Sequence, residues 1–197
     1  MKLLNLGCGG LIVEEEPWMN CDDAFNSDEH EKRVPKYYKK VNLTKKFPFP
    51  DNSIDGILLS HVLEHLPLHP TIRCLEECYR VLIPGGIIRI SSPDPERVYN
   101  LTLQEPDFKD WGERNSQSGL PLRGSPTGYT FMQFCLFWDL HNESQHLQML
   151  GKFDLFCLLR GAGFKQHYEM PYGKSSLPGL EKLDNRPIFS VFVEGKK

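Results

Sequence analysis

Between Ile54 and Pro93 the chain changes its hydrophobic period twice, and no other stretch limits the fold so tightly. IDGILLS (54–60) is an apolar run of strand length, and HVLEHL follows it directly in a helical pattern. PTIRCLEECYRVL (70–82) then sets Ile72, Leu75, Tyr79 and Leu82 at helical spacing with charges between them, the pattern of an amphipathic helix lying on something flat. Pro84, Gly85 and Gly86 end that helix, and GIIRISSP (86–93) is a second strand closed by Pro93. A strand, turn, helix, turn, strand succession implies parallel pairing through a right-handed crossover. The fold class expected is α/β.

The flanking segments extend the pattern. KLLNL (2–6) reads as a short buried strand that stops at the permissive turn GCGG, WMNCDDAF after Pro17 as a second strand, and YYKKVNL as a weaker third. FPFPDNS is a proline-rich turn. Near the end, FDLFCLLRGAGF repeats apolar residues at helical intervals and stops at Gly161 and Gly163, and PIFSVFVEGKK alternates as a final strand. From 94 to 150 the alternation lapses. WGERNSQSGLPLRGSPTGYT is rich in glycine, serine and proline, and TFMQFCLFWDL is dense in aromatics. So long a stretch without clear elements is uncommon in a compact domain unless it has a task, and residues 94–150 are expected to form a substrate lid. Trp111, Tyr129, Phe131, Phe134, Phe137 and Trp138 supply its apolar or sugar-stacking wall, about half of them being expected in a buried helix.

Composition sets outer limits. A chain of 197 residues, 40% hydrophobic, is the size of one domain with its own core, so residues 1–197 are expected to fold as a single unit. The net charge of -3 and the lack of a basic stripe argue against nucleic acid as a partner. Cysteines at 8, 21, 74, 78, 135 and 157 show no CxxC spacing and are expected as free thiols in a reducing compartment. The opening MKLLNLGC is too short for a signal peptide, and no run reaches membrane-spanning length. A soluble, cytoplasmic protein without a membrane partner is the expectation; the oligomeric state is left open.

Four segments in order, LNLGCGG, FPFPDNSIDGILLSHVLEHL, ECYRVLIPGGIIRISSPD and LLRGAGF, resemble the class I S-adenosylmethionine-dependent methyltransferases. Within them the chain is similar to small methyltransferases associated with glycan and polysaccharide biosynthesis, in which a His precedes the last helix, as His146 does here, and the chain closes like LDNRPIFSVFVEGKK. The resemblance implies a doubly wound, mostly parallel Rossmann-like sheet, with an irregular insertion after the strand ending near Pro93. It also implies S-adenosyl-L-methionine as cofactor. In such a sheet ligands sit beyond the carboxyl ends of the strands near the switch point, where the GCGG turn, Asp22, Asn42 and Ser60 all fall. Gly7, Cys8 and Gly9 are expected to let the backbone approach the methionine part, and Asp22 to accept the ribose hydroxyls, with Asp23 as the alternative. By the same analogy Asn42 and Leu43 border the adenine and Ser60 and His61 the methionine end. Asn5, also expected among the cofactor-binding residues, stands where many relatives carry an acid, and the glycan-associated group often has Asn. Because only the stretch from Gly9 to Asp22 separates the first two strands, the first crossover helix is expected to be stunted.

The predicted reaction is in-line transfer of a methyl group, at oxygen, to a small-molecule or glycan acceptor, with alignment in a dry pocket supplying most of the rate. Imidazole titrates near working pH, so His146 is the first candidate base for the acceptor hydroxyl and His65 the second. With Met1 immediately before the first strand, no N-terminal helix is expected to cover the site. Two other readings stand beside this one. HVLEH (61–65) is an H-x-x-E-H string, the inverted zinc peptidase motif, which makes His61, Glu64 and His65 candidates of a zinc hydrolase. A domain that binds adenosylmethionine without catalysis is the other. Some methyltransferases that look similar at this point, with E-x-x-E-H, hold a divalent ion; here His61 stands where the first Glu would be, and no metal ligand is assigned from sequence.

Overall fold

The structure is a computed structural model and describes residues 1–23, 35–104, 146–180, 183, 184 and 186–197. Strand β1 (Leu3–Leu6) is buried along its whole length, β2 runs Trp18–Asp22, β3 Tyr38–Lys40 and β4 Ile54–Ser60. A single turn of 3-10 helix, Leu63–His65, leads to helix α1 (Leu68–Val81), followed at once by β5 (Leu82–Pro93) and helix α2 (Pro95–Gln104). Helix α3 (Lys152–Ala162), β6 (Gln166–Glu169) and β7 (Ser190–Lys196) complete the described elements.

The strands form one sheet in the order β3-β2-β1-β4-β5-β7-β6. Strands β1 to β5 pair in parallel, and β7 runs antiparallel to both its neighbours. The chain winds outward from β1 to β2 and β3, then returns to start the other half with β4 beside β1. Between β1 and β4 lies the switch point, where the connections leave in opposite directions and open a crevice at the carboxyl ends.

Alternation along the strands decides which layer each side chain joins. Leu4, Leu6, Ile57, Leu59, Ile88, Ile90, Val191 and Val193 pack with Cys74, Leu75, Cys78 and Val81 of α1 and Leu155 and Leu159 of α3. Gly163, with φ +109°, ends α3 in the left-handed conformation, its N–H donating to the Arg160 carbonyl, as the GAGF signal predicts. The intervening residues Leu3, Trp18 and Leu58 meet Leu177, Leu180 and Leu183 on the opposite face. Gly56 makes that contact possible, since a β-carbon there would collide with Leu177 and lie 2.8 Å from Leu3 Cδ2.

Among the described residues that second face is covered by residues 171–180, 183 and 184, of which 171–179 are irregular where a doubly wound sheet usually carries helices. The pin that holds the segment is Arg89, fully buried on β5. Its Nε and Nη2 donate to the Asp184 carboxylate, Nη1 to the Lys174 carbonyl at 2.9 Å and to Glu194 at 3.5 Å, and Nη2 also to the Pro171 carbonyl at 3.2 Å. Every guanidinium donor is thereby used, and the group lies 5.1 Å from the Phe192 ring centre.

The link 7–17 between β1 and β2 contains no helix, in keeping with the stunted crossover expected. Two buried asparagines shape it. Asn5 Nδ2 donates to the Leu11 carbonyl at 2.6 Å and to Asn20 Oδ1 at 3.1 Å, while Asn20 exchanges bonds with the N–H and carbonyl of Val13 at 3.0 and 2.7 Å. Strand β6 has no counterpart in the sequence reading, because QHYE is an edge strand with little burial and so lacks an apolar alternation. Helix α2 occupies the start of what reads as irregular sequence. The aromatics of the expected lid, Trp111, Tyr129, Phe131, Phe134, Phe137 and Trp138, lie outside the described residues.

Replacing Arg89 by Met leaves the buried Asp184 carboxylate without its cation, and the expected loss is about 3–5 kcal/mol of unfolding free energy in urea melts. The double variant Arg89→Met with Asp184→Leu is expected to recover a large part of that loss. A single variant as stable as the parent contradicts the pinning role.

Candidate active site

At the carboxyl end of β1 the backbone turns through Gly7, Cys8 and Gly9. The N–H groups of Gly7 and Cys8 both donate to the Cys21 carbonyl, at 2.7 and 3.2 Å, so the turn is tied to the end of β2. Gly7 (φ +65°) and Gly9 (φ +47°) take conformations that L side chains rarely adopt. Their surroundings differ. A β-carbon on Gly7 would sit 2.8 Å from both methyls of Val62 and 3.4 Å from Leu43 Cδ1, whereas one on Gly9 would meet nothing within 4 Å. Packing within the fold dictates the first glycine, and the second leaves open space.

Asp22, the last residue of β2, braces this turn: its Oδ2 accepts the Gly9 N–H at 2.9 Å and its Oδ1 the Asp23 N–H at 2.8 Å. Asp23 is committed elsewhere, accepting from Asn42 Nδ2 at 2.6 Å, while Asn42 Oδ1 accepts from the N–H and hydroxyl of Thr44 at 2.9 and 2.6 Å. Burial, with the Asp22 charge adding to it, pushes the Cys8 thiol up to about 11, so it stays protonated. Asn5 spends its amide group within the fold, donating to the Leu11 carbonyl of the 7–17 link and to Asn20 Oδ1 on β2. Its place in the sequence motif therefore reflects shaping of the loop.

Across the switch point β4 ends at Ser60, whose Oγ accepts from Ser91 Oγ at 3.2 Å. His61 follows with φ +54°, its N–H on the Ser91 carbonyl at 3.0 Å. Strain of this kind in a non-glycine residue persists only where neighbours hold it. Here they do. His61 Nε2 lies 2.9 Å from Ser190 Oγ and Nδ1 lies 3.1 Å from Glu64 Oε1. A carboxylate only accepts, so Nδ1 carries the proton and Nε2 accepts from the serine hydroxyl. Burial pushes the His61 imidazole below its ordinary value of 6.5, against the opposing pull of Glu64. Burial is the largest single influence on Glu64 and works to raise it, but the hydrogen bond from His61, the electrostatic pull of His61 and His65 and a backbone hydrogen bond together outweigh it and leave the carboxyl below its ordinary value. The pair is a neutral imidazole donating to a carboxylate.

The five residues HVLEH are thus not one helical face. Only Leu63–His65 are helical, in a tight 3-10 turn, and the left-handed backbone at His61 turns its ring toward β7. Both His61 nitrogens are engaged within the fold, so the zinc hydrolase arrangement of His61, Glu64 and His65 is not formed. His65 instead meets His146, their ring centres 4.7 Å apart. Single ligand atoms of Glu64, His65 and His146 all lie within 4.8 Å of one another. The strap bearing His146 is sewn to the turn: Leu147 N–H donates to the Glu64 carbonyl at 2.7 Å, and Gln148 Nε2 reaches the carbonyls of Leu63 and Leu66 at 2.9 and 2.8 Å and Thr71 Oγ1 at 2.7 Å. Neither Gln148 nor Ser190 carried a local signal, because each acts only through a contact distant in sequence.

Residues 4–90 match the family model described as a methyltransferase domain. A protein of Mycolicibacterium smegmatis, described as a probable S-adenosylmethionine-dependent methyltransferase, is 34% identical over 62 residues, which is 32% of this chain and 23% of that protein. The match thus spans less than a quarter of that relative. Among solved structures, an adenosylmethionine-dependent methyltransferase of Archaeoglobus fulgidus aligns over 100% of this chain and 86% of its own, with a TM-score of 0.60 and 18% identity. One from Mesorhizobium loti aligns over 100% and 90%, with a TM-score of 0.56 and 16% identity. The fold is that of the class I S-adenosylmethionine-dependent methyltransferases. Among the described residues no helix is long and apolar enough to cross a membrane.

A group held below its ordinary value in the folded state contributes stability that is present above that value and lost as pH falls through the lowered one. For His61 this means melting temperature is expected to drop as pH falls from about 7 toward 5. In a His61→Gln variant that slope is expected to be shallower, read by thermal melts at matched ionic strength. Equal slopes in the two proteins contradict the assignment of a buried neutral imidazole.

Proposed function

We propose that this chain transfers a methyl group from S-adenosyl-L-methionine to a hydroxyl of a small-molecule or glycan acceptor, with residues 1–197 acting as one catalytic domain. The observation that carries the reading is the crevice at the switch point, where Asp22 is bonded to the N–H of an unobstructed Gly9. Such a site suits a nucleoside: the carboxylate oxygens keep spare lone pairs for two ribose hydroxyls, and the bare glycine allows close approach. Leu43, packed beside Gly7, and Asn42, fixed by Asp23 and Thr44, border the adenine, while Ser60 and His61 flank the methionine end. Asn5 and Cys8 serve by setting the shape of the turn.

When bound, the cofactor supplies an electrophilic methyl on a positively charged sulfur. The chain's own residues then align the acceptor and manage its proton. His146 and His65, whose rings meet edge to face, are the groups we assign to act on the acceptor hydroxyl. The resemblance of the closing segment to glycan-associated methyltransferases, together with the net charge of -3, favours an uncharged or sugar acceptor over a polyanion.

Calorimetry with adenosylhomocysteine tests the cofactor half of the reading. The parent chain is expected to bind one equivalent, Asp22→Asn to bind at least about tenfold more weakly, since hydrogen bonds to a charged group contribute roughly 1.5–3 kcal/mol, and Gly9→Asn, a side chain that tolerates left-handed backbone, to fold yet bind poorly. Folded protein that gives no heat with this ligand rules the proposal out. Methyl transfer to a panel of sugars and small alcohols then tests the acceptor half, with His146→Ala expected to lower kcat about 100-fold or more.

A further inference from the structure

We propose that Glu64, His65 and His146 form a binding site for one divalent first-row transition-metal ion, and that the acceptor's oxygen occupies an open position on that ion. The use of the ion in methyl transfer rests on the reading above; its binding does not. Ligand atoms of the three side chains lie within 4.8 Å of one another. Ions of this class hold nitrogen and oxygen ligands at about 2.0–2.2 Å, so opposed ligands stand about 4.2 Å apart, and a small side-chain rotation closes the set.

A second observation points to a ligand independently of the clustering. Glu64 is 1% exposed, and its Oε2 is buried with no hydrogen-bond partner among the described residues. A buried carboxylate oxygen left unpaired is costly unless something positive arrives to meet it. The other oxygen is not free to turn away, because Oε1 is held by His61, itself held by Ser190. That chain resembles the outer-shell bonding that fixes metal-binding carboxylates. The hydrogen bonds of Leu147 and Gln148 to the 63–66 turn fix the strap that carries His146 beside Glu64 and His65. Two imidazoles and one carboxylate favour zinc, cobalt, iron or manganese over magnesium or calcium, and three protein ligands leave positions for water and substrate.

The ion's charge favours loss of the proton from a coordinated hydroxyl. With both imidazoles engaged on the ion, they act on the hydroxyl through it and not as bases: in the transfer step the hydroxyl proton passes to solvent water, the oxygen's electron pair forms the new O–CH3 bond, and the pair of the broken S–CH3 bond stays on sulfur as a neutral thioether. His61 and Ser190 are positioning residues in this scheme.

The test uses the full chain freed of metal with a chelator, titrated with cobalt(II) chloride and followed by visible absorption. One equivalent with ligand-field bands of a nitrogen and oxygen site is expected, with affinity at least about 100-fold lower in His65→Ala and His146→Ala and about tenfold lower in Ser190→Ala. Adenosylhomocysteine calorimetry on the same samples reports folding and the cofactor site separately. Should the histidine variants not fold, paramagnetic broadening of the imidazole resonances of His65 and His146 is read in the labelled parent chain. Cobalt that fails to bind stoichiometrically, or that leaves those two imidazoles unaffected, overturns the metal site. When adenosylhomocysteine still binds in that event, the methyl-transfer reading survives without it; the opposite pattern overturns that reading and leaves the ion site in place.

Discussion

The contact on which both halves of the crevice depend is that of Val62 against Gly7. The chain leaving β4 crosses over the turn that leaves β1, and both Val62 methyls take the space a β-carbon at position 7 would need. One glycine therefore fixes the distance between the two sides of the switch point. On one side this sets the Gly9 and Asp22 pair; on the other it sets where His61 begins its left-handed turn. Small residues at such crossings determine how closely two backbones approach, and everything placed beyond them inherits that spacing.

Around this contact the chain replaces helices with polar fastenings. The 7–17 link is too short for a full crossover helix, and its backbone groups find their partners in the side chains of Asn5 and Asn20. On the second face of the sheet, Pro171, Lys174 and Asp184 offer carbonyls and a carboxylate to Arg89, which no helix would leave available. Buried polar groups of this sort stabilise only when fully satisfied, and both sets are. They also act over one defined geometry, so the thin layers of this small domain have less freedom to slide than apolar contacts alone would leave them.

How much of this was legible in the sequence follows from where the information is stored. Strands β1, β4 and β5 and helices α1 and α3 were readable because burial on one or both faces imposes a period on their residues. The glycine turn and Asp22 were readable because a tight bend after a strand has few acceptable residue types. By contrast, β6 is an exposed edge strand held by backbone bonds to β7, and its side chains carry no pattern. The helical look of HVLEHL misled for a related reason. Val62 and Leu63 are apolar because each is buried near the switch point, not because they share a helical face. The backbone turns left-handed at His61, and one of the partners that hold it there, Ser190, lies 129 positions away.

The same distant bond explains why an uncomfortable group survives in the interior. An unpaired carboxylate oxygen and a histidine at positive φ each oppose folding, by amounts of order 1–3 kcal/mol. An apolar residue of similar size at 64 would remove the first penalty, and a glycine at 61 the second. The fold instead spends the Ser190 hydroxyl and a neutral imidazole to hold one oxygen of Glu64 still, while the other has no hydrogen-bond partner among the described residues, on a carboxylate grouped with His65 and His146. An arrangement that only stabilised the domain would pair both oxygens. One that holds one oxygen and leaves the other bare among the described residues, on a carboxylate grouped with two imidazoles, is organised to receive something from outside the chain, and the charge it is built to meet is positive.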